Sequence, residues 1–450
     1  MKFTLVAPET DRLVDREYNA GLGAGFSIGK SWRAKLLERL RGGLGEPSFV
    51  PFGYLSAILR EQGHQVLRAT HPPADGVMVI APSLANFQGD LAAIQQGAAT
   101  PGVTVVVIGN LASVRPELFA PHADLVIKGE PESVFLDLAS RSLPTGVVQA
   151  IALRDLDSLP FPDQAGMRRS LGFFSFAFPE PTWAFVQASR SCPYSCGYCP
   201  YITTSAYRQR SVENVVAELK HLRQTKGIEG VVFRDPTFTL NRKWVVAFCE
   251  AIEREGLQLR WECETRLDRL DIELLGLMRR AGLRSLKVGV ESADEQVLRD
   301  VSRKPISLLH QESMVAECRR LGVAVAAFYV LGLPTDTERS IRATVAYARQ
   351  LNTDVARFHI FTPLPGTALF EEVKDRIIEE DWSRFDMFHV VFRHDLLSAA
   401  DLYRLKEWAY LSYFFRWSYV WRRWRQLFAI VWRPGPACHP SARSAREGLV

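Results

Sequence analysis

The 450-residue chain has no charge-free apolar run approaching the roughly 18 residues that a membrane-spanning helix needs, so no span is expected. Its N-terminus, MKFTLVAPETD, carries one Lys, lacks an apolar run long enough for a signal core and has no small-residue cleavage site, so a cytoplasmic protein is expected. Cysteine is scarce. Seven residues, an odd number, with three inside eight positions, suit a metal site and not a disulfide framework. Net charge is also slight: +5, its basic surplus gathered near the C-terminus, gives no reason to expect nucleic-acid binding by the whole chain. What is present is an ordinary globular composition, 47% apolar and 23% charged, in a chain long enough for two or three domains.

From Met1 to about Ala150, short apolar runs alternate with helical segments. Strands are expected at Lys2 to Ala7, Gln65 to Arg68, Gly76 to Ala81, Val103 to Gly109 and Leu125 to Lys128. Helices are expected near Tyr54 to Gln62, Gly89 to Gly97 and Ser133 to Ser140. This is the order of a Rossmann-like α/β domain, whose ligand sits beyond the carboxyl ends of the strands, here at Pro8, Ser83 to Asn86, Gly109 to Leu111 and Gly129 to Glu130. Residues 151–182, with Pro160, Pro162, Pro179 and Pro181, read as a linker.

A second alternation fills residues 183–370. Its strands are expected at Ala184 to Ser189, Gly230 to Arg234, Leu259 to Glu264, Ser285 to Val290, Ala324 to Leu331 and Val355 to Ile360. Helices follow at Val212 to Thr225, Arg242 to Glu255, Ile272 to Ala281, Leu308 to Leu321 and Glu338 to Leu351. Six such units describe a partial (β/α)6 barrel with its chemistry at the C-terminal strand ends. Beyond it, a mainly helical extension is expected over 371–433 and a disordered tail over 434–450.

On the loop after the first barrel strand, Ser191-Cys-Pro-Tyr-Ser-Cys-Gly-Tyr-Cys-Pro200 spaces Cys192, Cys196 and Cys199 as C-x3-C-x2-C. Three thiolates suit a 4Fe-4S cluster with one iron left open for a substrate. A zinc site would want a fourth Cys or His nearby, and the nearest downstream candidate, His221, falls inside a predicted helix. Cys249, Cys263 and Cys318 fall in predicted element interiors and read as small buried hydrophobes.

This segment resembles the signature of the radical S-adenosylmethionine superfamily. The resemblance implies that the open iron binds the amino and carboxylate groups of S-adenosylmethionine, and that an external one-electron reductant drives its cleavage to methionine and a 5′-deoxyadenosyl radical. It implies that Tyr198 lies beside the adenine. Phe233-Arg-Asp-Pro-Thr-Phe-Thr239 resembles the motif facing the methionyl group, with Asp235 accepting from its ammonium. Glu262, Glu264 and Arg266 share one side of a strand, where they suit ribose hydroxyls and a carboxylate. Gly289-Val-Glu-Ser292 resembles a later strand motif that brings Glu291 near the cofactor, and Tyr329 to Pro334, with Gly332, the turn near the adenine.

Pro51-Phe-Gly-Tyr-Leu-Ser-Ala-Ile-Leu-Arg-Glu-Gln-Gly-His-Gln-Val66, Gly129-Glu-Pro-Glu132 and Leu156-Asp-Ser-Leu-Pro-Phe-Pro162 resemble the cobalamin-binding domain fused to many members of that superfamily, and its linker. Phe52, Gly53, Ser83, Asn86, Gly109, Asn110, Gly129 and Glu130 are the cobalamin-contacting residues so implied. There is no Asp-x-His-x-x-Gly, so no histidine is expected beneath the cobalt. Gly109-Asn-Leu-Ala112 replaces the Gly-Gly-Pro-His of many relatives, which leaves open a domain that binds nothing or only dimerises. Gly25-Phe-Ser-Ile-Gly-Lys-Ser31 imitates a phosphate loop, but Ala24 stands where its first glycine belongs, and it reads as a flexible loop over cofactor or substrate.

Trp408, Tyr410, Tyr413, Phe414, Phe415, Trp417, Tyr419, Trp421, Trp424, Phe428 and Trp432 interleave with five arginines. They describe either a helix at a membrane interface, which would admit a lipid-like substrate, or a helix closing the barrel with its rings buried. The activity implied is a cobalamin-dependent C-methyltransferase acting on an unactivated carbon of a lipid-like or natural-product small molecule. A radical cyclase, oxidase or rearrangement enzyme, with or without cobalamin, is the alternative.

Overall fold

The computed structural model describes residues 1–10, 14–16, 20–21, 27–40, 49–136, 138, 142–164, 182–203, 206–422 and 424. Most of the expected linker with Pro179 and Pro181, the 434–450 tail, Phe428, Trp432 and the start of the phosphate-loop imitation lie outside the described residues.

Six strands form an all-parallel first sheet: β1 (Lys2–Val6), β2 (Gln65–Ala69), β3 (Gly76–Ile80), β4 (Val103–Val107), β5 (Leu125–Lys128) and β6 (Gly146–Gln149), in the order β2-β1-β3-β4-β5-β6. The inner strands are mostly apolar and buried, rich in Val, Ile and Leu, as burial on both faces requires. Strand β6 was not legible because it is an edge strand with Val147 half exposed, and so carries no buried apolar run. A second all-parallel sheet, β7 (Trp183–Val186), β8 (Gly230–Phe233), β9 (Arg260–Thr265), β10 (Leu283–Glu291), β11 (Ala324–Leu331) and β12 (Val355–Ile360), runs in sequence order as an open barrel. The chain is thus α/β, a Rossmann-like sheet followed by a partial barrel.

The longer helices are α1 (Trp32–Leu40), α2 (Val50–Glu61), α3 (Phe87–Ala98), α4 (Val212–Lys226), α5 (Arg242–Arg254), α6 (Ile272–Arg280), α7 (Leu308–Leu321), α8 (Glu338–Leu351) and α9 (Ala399–Phe414). Local chemistry fixes their ends. Ser211 caps α4 through the Asn214 amide, and Gly227 at φ +62° stops it; Thr337 and Ser340 form a capping box on α8. Helix α2 starts four residues before the expected Tyr54, because Pro51 is tolerated in a first turn. Of the expected helix Ser133 to Ser140, helix is described over Glu132–Leu136, and 137, 139 and 140 lie outside the described residues. Between 374 and 398 the expected helical extension is mostly short 3-10 turns and irregular chain.

The two sheets share a core. Trp183, Phe185 and Val232 of β7 and β8 pack with Phe3, Leu55 and Ile127 of the first unit. Leu364, Phe370, Phe385 and Val391, from the chain after β12, pack with Leu84, Phe87 and Phe119. Helix α9 lies against β12: Tyr410 Oη accepts from the Phe358 amide at 3.3 Å and Tyr413 Oη donates to the Thr353 carbonyl at 2.6 Å.

The described part of the phosphate-loop imitation is tied to α9. The Lys30 and Ser31 amides donate to Glu407 of α9 at 3.0 and 3.1 Å, so an internal carboxylate occupies the start of α1.

Candidate active site

The three cysteines sit on a loop pinned at several points. At its base Ser189–Arg190 pairs antiparallel with Arg208–Gln209. Within it, the Gly197 amide donates to the Val301 carbonyl at 2.9 Å, and the Gly197 carbonyl accepts from the Leu369 amide at 2.9 Å. A Cβ on Gly197 would meet Leu369 at 3.2 Å, so glycine permits this close approach. Cys192 Sγ lies 3.8 Å from Thr237 Oγ1, and Cys196 Sγ lies 3.9 Å from Arg303 Nη1. Burial, then the neighbouring Cys196 and Cys192 thiols and Glu291, pushes the Cys199 thiol far above its ordinary range.

Crowded thiols beside a buried guanidinium are a ligand set that a cationic iron cluster would relieve. The loop therefore fits the cluster.

Strand β10 delivers the next group. Its ladder shifts register between Gly289 and Glu291, and Glu291 adopts φ +66°. The Glu291 carboxylate folds back over Gly289, where a Cβ would collide with it at 2.1 Å. Arg303 Nη2 donates to the Gly289 carbonyl and lies 3.7 Å from Glu291 Oε1. Burial raises the Glu291 carboxyl, opposed first by Arg303. Tyr198 packs against the apolar cluster that includes Val297, Leu333 and Leu369. Arg303 escaped sequence reading because it follows the short helix Glu295–Asp300 in coil, with no motif to mark it.

Arg266, just past β9, is held by Asp268 at 2.9 and 3.0 Å and by the Lys304 carbonyl at 3.2 Å, and lies 4.5 Å above the Tyr194 ring, between the first two cysteines. Its Nη1 is buried without a partner among the described residues, a donor suited to a carboxylate. Glu262 and Glu264 share a face as expected, and both reach Lys287 Nζ, at 3.3 and 3.5 Å. Glu262 is also bonded to Ser285 Oγ at 2.9 Å.

Two expectations are corrected here. Asp235 does not present a free carboxylate: its oxygens accept from the Ala188 amide at 3.1 Å and from Ser189 Oγ at 2.5 Å, so it ties β8 to the base of the cysteine loop. Tyr329 points out of the barrel, fully buried and stacked on Phe358 at 5.1 Å under α9, because the alternation of β11 turns odd-numbered residues outward. Gly332 is needed at φ +80° where Leu402 of α9 would meet a Cβ at 2.7 Å.

In the first sheet, Ser83 and Asn86 follow β3, Gly109 and Asn110 follow β4, and Gly129 follows β5. Ser83 Oγ accepts from the Asn86 amide at 3.3 Å, and Gly109 and Gly129 take φ of +99° and +87°. Three expectations are corrected. Phe52 belongs to the core of the first unit, and Gly53 lies under Pro162 and Asp163, where a Cβ would meet Pro162 at 2.9 Å. Glu130 bridges the two units: it pairs with Arg190 at 2.8 Å and with Arg208, while Glu132 holds Arg190 at 2.8 Å. These four charges bind the end of β5 to the base of the cysteine loop.

A three-cysteine loop after the first strand of an open parallel barrel, with a buried Arg and Glu at its mouth, defines a radical S-adenosylmethionine domain. Residues 186–348 match the Radical SAM superfamily. The chain is similar to an uncharacterised methyltransferase of Pyrococcus horikoshii, 24% identical over 446 residues that cover 92% of this chain and 93% of the relative. It is also similar to the bacteriochlorophyllide d C-12(1)-methyltransferase of Chlorobaculum tepidum, 27% identical over 66% of each chain. Its fold resembles the radical S-adenosylmethionine methyltransferase TsrM of Kitasatospora setae, solved with cobalamin and a [4Fe-4S] cluster, with a TM-score of 0.60, 16% identity and 90% of each chain covered.

Proposed function

We propose that the protein is a cobalamin-dependent radical S-adenosylmethionine C-methyltransferase acting on an unactivated carbon of a lipid-like or natural-product small molecule. The observation that carries the reading is the Glu130 and Glu132 clamp on Arg190 and Arg208. It fastens a strand end of the Rossmann-like sheet to the base of the cysteine loop, which would hold a cofactor of the first unit close to the cluster. The methyltransferases among its relatives support the same reading.

When bound, the cluster supplies the electron, from an external reductant, that cleaves S-adenosylmethionine to methionine and a 5′-deoxyadenosyl radical, and cobalamin supplies a methyl carrier. In this reading Cys192, Cys196 and Cys199 hold the cluster. Arg266 Nη1 receives the methionine carboxylate, Tyr198 and the Gly332 to Pro334 turn flank the adenine, and Glu291, poised by Arg303, faces the cofactor over Gly289. Glu262 and Glu264 line the barrel interior with Lys287. Ser83, Asn86, Gly109, Asn110 and Gly129 form the floor beneath cobalamin.

The substrate reading extends to a lipid surface. Trp32, Trp417 and Trp421 are 70%, 83% and 75% exposed, and Arg33 lies over both Trp32 and Phe415 at 5.4 and 6.0 Å. Exposed indoles set among arginines suit an anionic membrane interface.

Anaerobic reconstitution tests the activity. Under reduction the wild type should form 5′-deoxyadenosine from S-adenosylmethionine, and Cys196→Ala should form none. With substrate supplied, a deuterated methyl group should reach the product; 5′-deoxyadenosine without methyl transfer would replace methylation by cyclisation, oxidation or rearrangement.

A further inference from the structure

One buried arginine belongs to no motif. Arg16 stands in the short described segment Val14 to Arg16, yet it is only 6% exposed. Its Nη1 donates to the Ala81 carbonyl at 2.8 Å and to both oxygens of Asp90 at 2.9 and 2.8 Å. Asp90 is completely buried and is held in turn by the Ser83 amide at 2.9 Å and Asn86 Nδ2 at 3.1 Å. Nε and Nη2 of Arg16, the opposite edge of the guanidinium, are buried with no partner among the described residues.

The position matters. Ala81 follows β3, and β1 lies between β2 and β3, so the connection from β1 runs toward β2 while that from β3 runs toward β4, in opposite directions. In an open parallel sheet that switch is where a ligand's crevice opens, outside the carboxyl ends of the strands. Leaving a buried donor unpaired costs about 1–3 kcal/mol, so an edge of N–H groups kept dry at such a crevice points to an acceptor that arrives with a ligand.

The charge balance selects the acceptor. Asp90 already neutralises Arg16, and a further buried anion would leave an uncompensated negative charge. A neutral oxygen with a strong dipole, the carbonyl of a carboxamide, satisfies the fork without that penalty. The rim of the corrin ring carries such carboxamides. We infer that Arg16, anchored by Asp90, donates from Nε and Nη2 to a carboxamide oxygen on the corrin rim of cobalamin bound at the β1/β3 switch point. This rests on the cobalamin reading above.

The test titrates the full-length, cluster-reconstituted protein with hydroxocobalamin and, separately, with cobinamide, which keeps the corrin carboxamides but lacks the nucleotide tail and its phosphodiester. Absorbance reports binding of each. The wild type should bind both, and Arg16→Lys, which keeps a charge for Asp90 but lacks the fork, should weaken both at least tenfold. Arg16→Met/Asp90→Asn, which leaves no buried unpaired charge, should do the same, with iron content, S-adenosylmethionine affinity and circular dichroism unchanged. Unaltered affinity in these folded variants overturns the inference. A loss confined to hydroxocobalamin overturns the carboxamide assignment in favour of the tail phosphodiester. A wild type that binds neither corrinoid overturns the cofactor reading itself, and the inference with it.

Discussion

Arg303 reaches Cys196 Sγ at 3.9 Å, Glu291 at 3.7 Å and the Gly289 carbonyl, so one side chain couples the cysteine loop to the end of β10. Its removal leaves the buried Glu291 carboxylate unpaired. Arg303→Met should therefore lower stability by about 3–5 kcal/mol, read from denaturant midpoints, and Arg303→Met/Glu291→Gln should regain part of the loss. Loss of a cation beside a cluster thiolate should also move the cluster's midpoint potential to a more negative value in an EPR-monitored titration, a change that a purely structural role for Arg303 would not produce. The cysteines themselves were legible because their chemistry lies in sequence spacing. Arg303 and Arg16 were not, because their partners lie 107 and 74 residues away in the chain.

The turn after β11 shows how a local element is held. Asp336 accepts from the Gly332 and Leu333 amides at 3.0 and 3.1 Å and from Ser340 Oγ at 2.6 Å, and so fixes the turn to the start of α8. Burial lifts its carboxyl from 3.8 to about 6. Because the folded pKa is the higher one, the folded chain binds more protons than the unfolded chain between these values. Stability contributed here is present below the lower value and lost as pH rises toward the upper, by about 3 kcal/mol over the window, and is level above it. Asp336→Asn, which keeps an acceptor for the two amides, should abolish that slope, so its gain over the wild type should be larger at pH 7 than at pH 4 in denaturant titrations. Elements with a periodic pattern were read well: the expected bounds of β11, β12, α7 and α8 coincide with those observed. Edge strand β6 and helix α1 were missed because neither buries enough apolar surface to stamp a period on the sequence.

Over the whole molecule, the described part of the aromatic C-terminal segment divides into buried and exposed rings. Tyr410, Tyr413, Phe414 and Tyr419 are buried and close the barrel beside β12, whereas Trp417 and Trp421 are exposed, and Phe415 meets Arg33, which also lies over Trp32 of α1. No helix among the described residues is long and apolar enough to cross a membrane. Trp32→Ala/Trp417→Ala/Trp421→Ala should leave cluster content and 5′-deoxyadenosine formation intact and reduce co-sedimentation with vesicles of mixed phosphatidylglycerol and phosphatidylcholine. Binding of the wild type should weaken with added salt. Equal sedimentation of the two proteins would remove the membrane from the account.

The sequence by itself determined what depends on spacing and periodicity: two parallel α/β units, the helix caps and the three-thiolate loop. These are short-range properties, because alternation, capping and ligand spacing are written into adjacent residues. Only the tertiary structure decided which polar groups remain available to a ligand. It spent Asp235 on the Ala188 amide and Ser189, turned Tyr329 into the packing under α9, gave Glu130 to the clamp between the units, and placed Arg16 at the end of β3, 65 residues away, and Arg303 beside Cys196, 107 residues away. Availability is a property of all the neighbours at once, and in a crossover topology those neighbours come from distant parts of the chain.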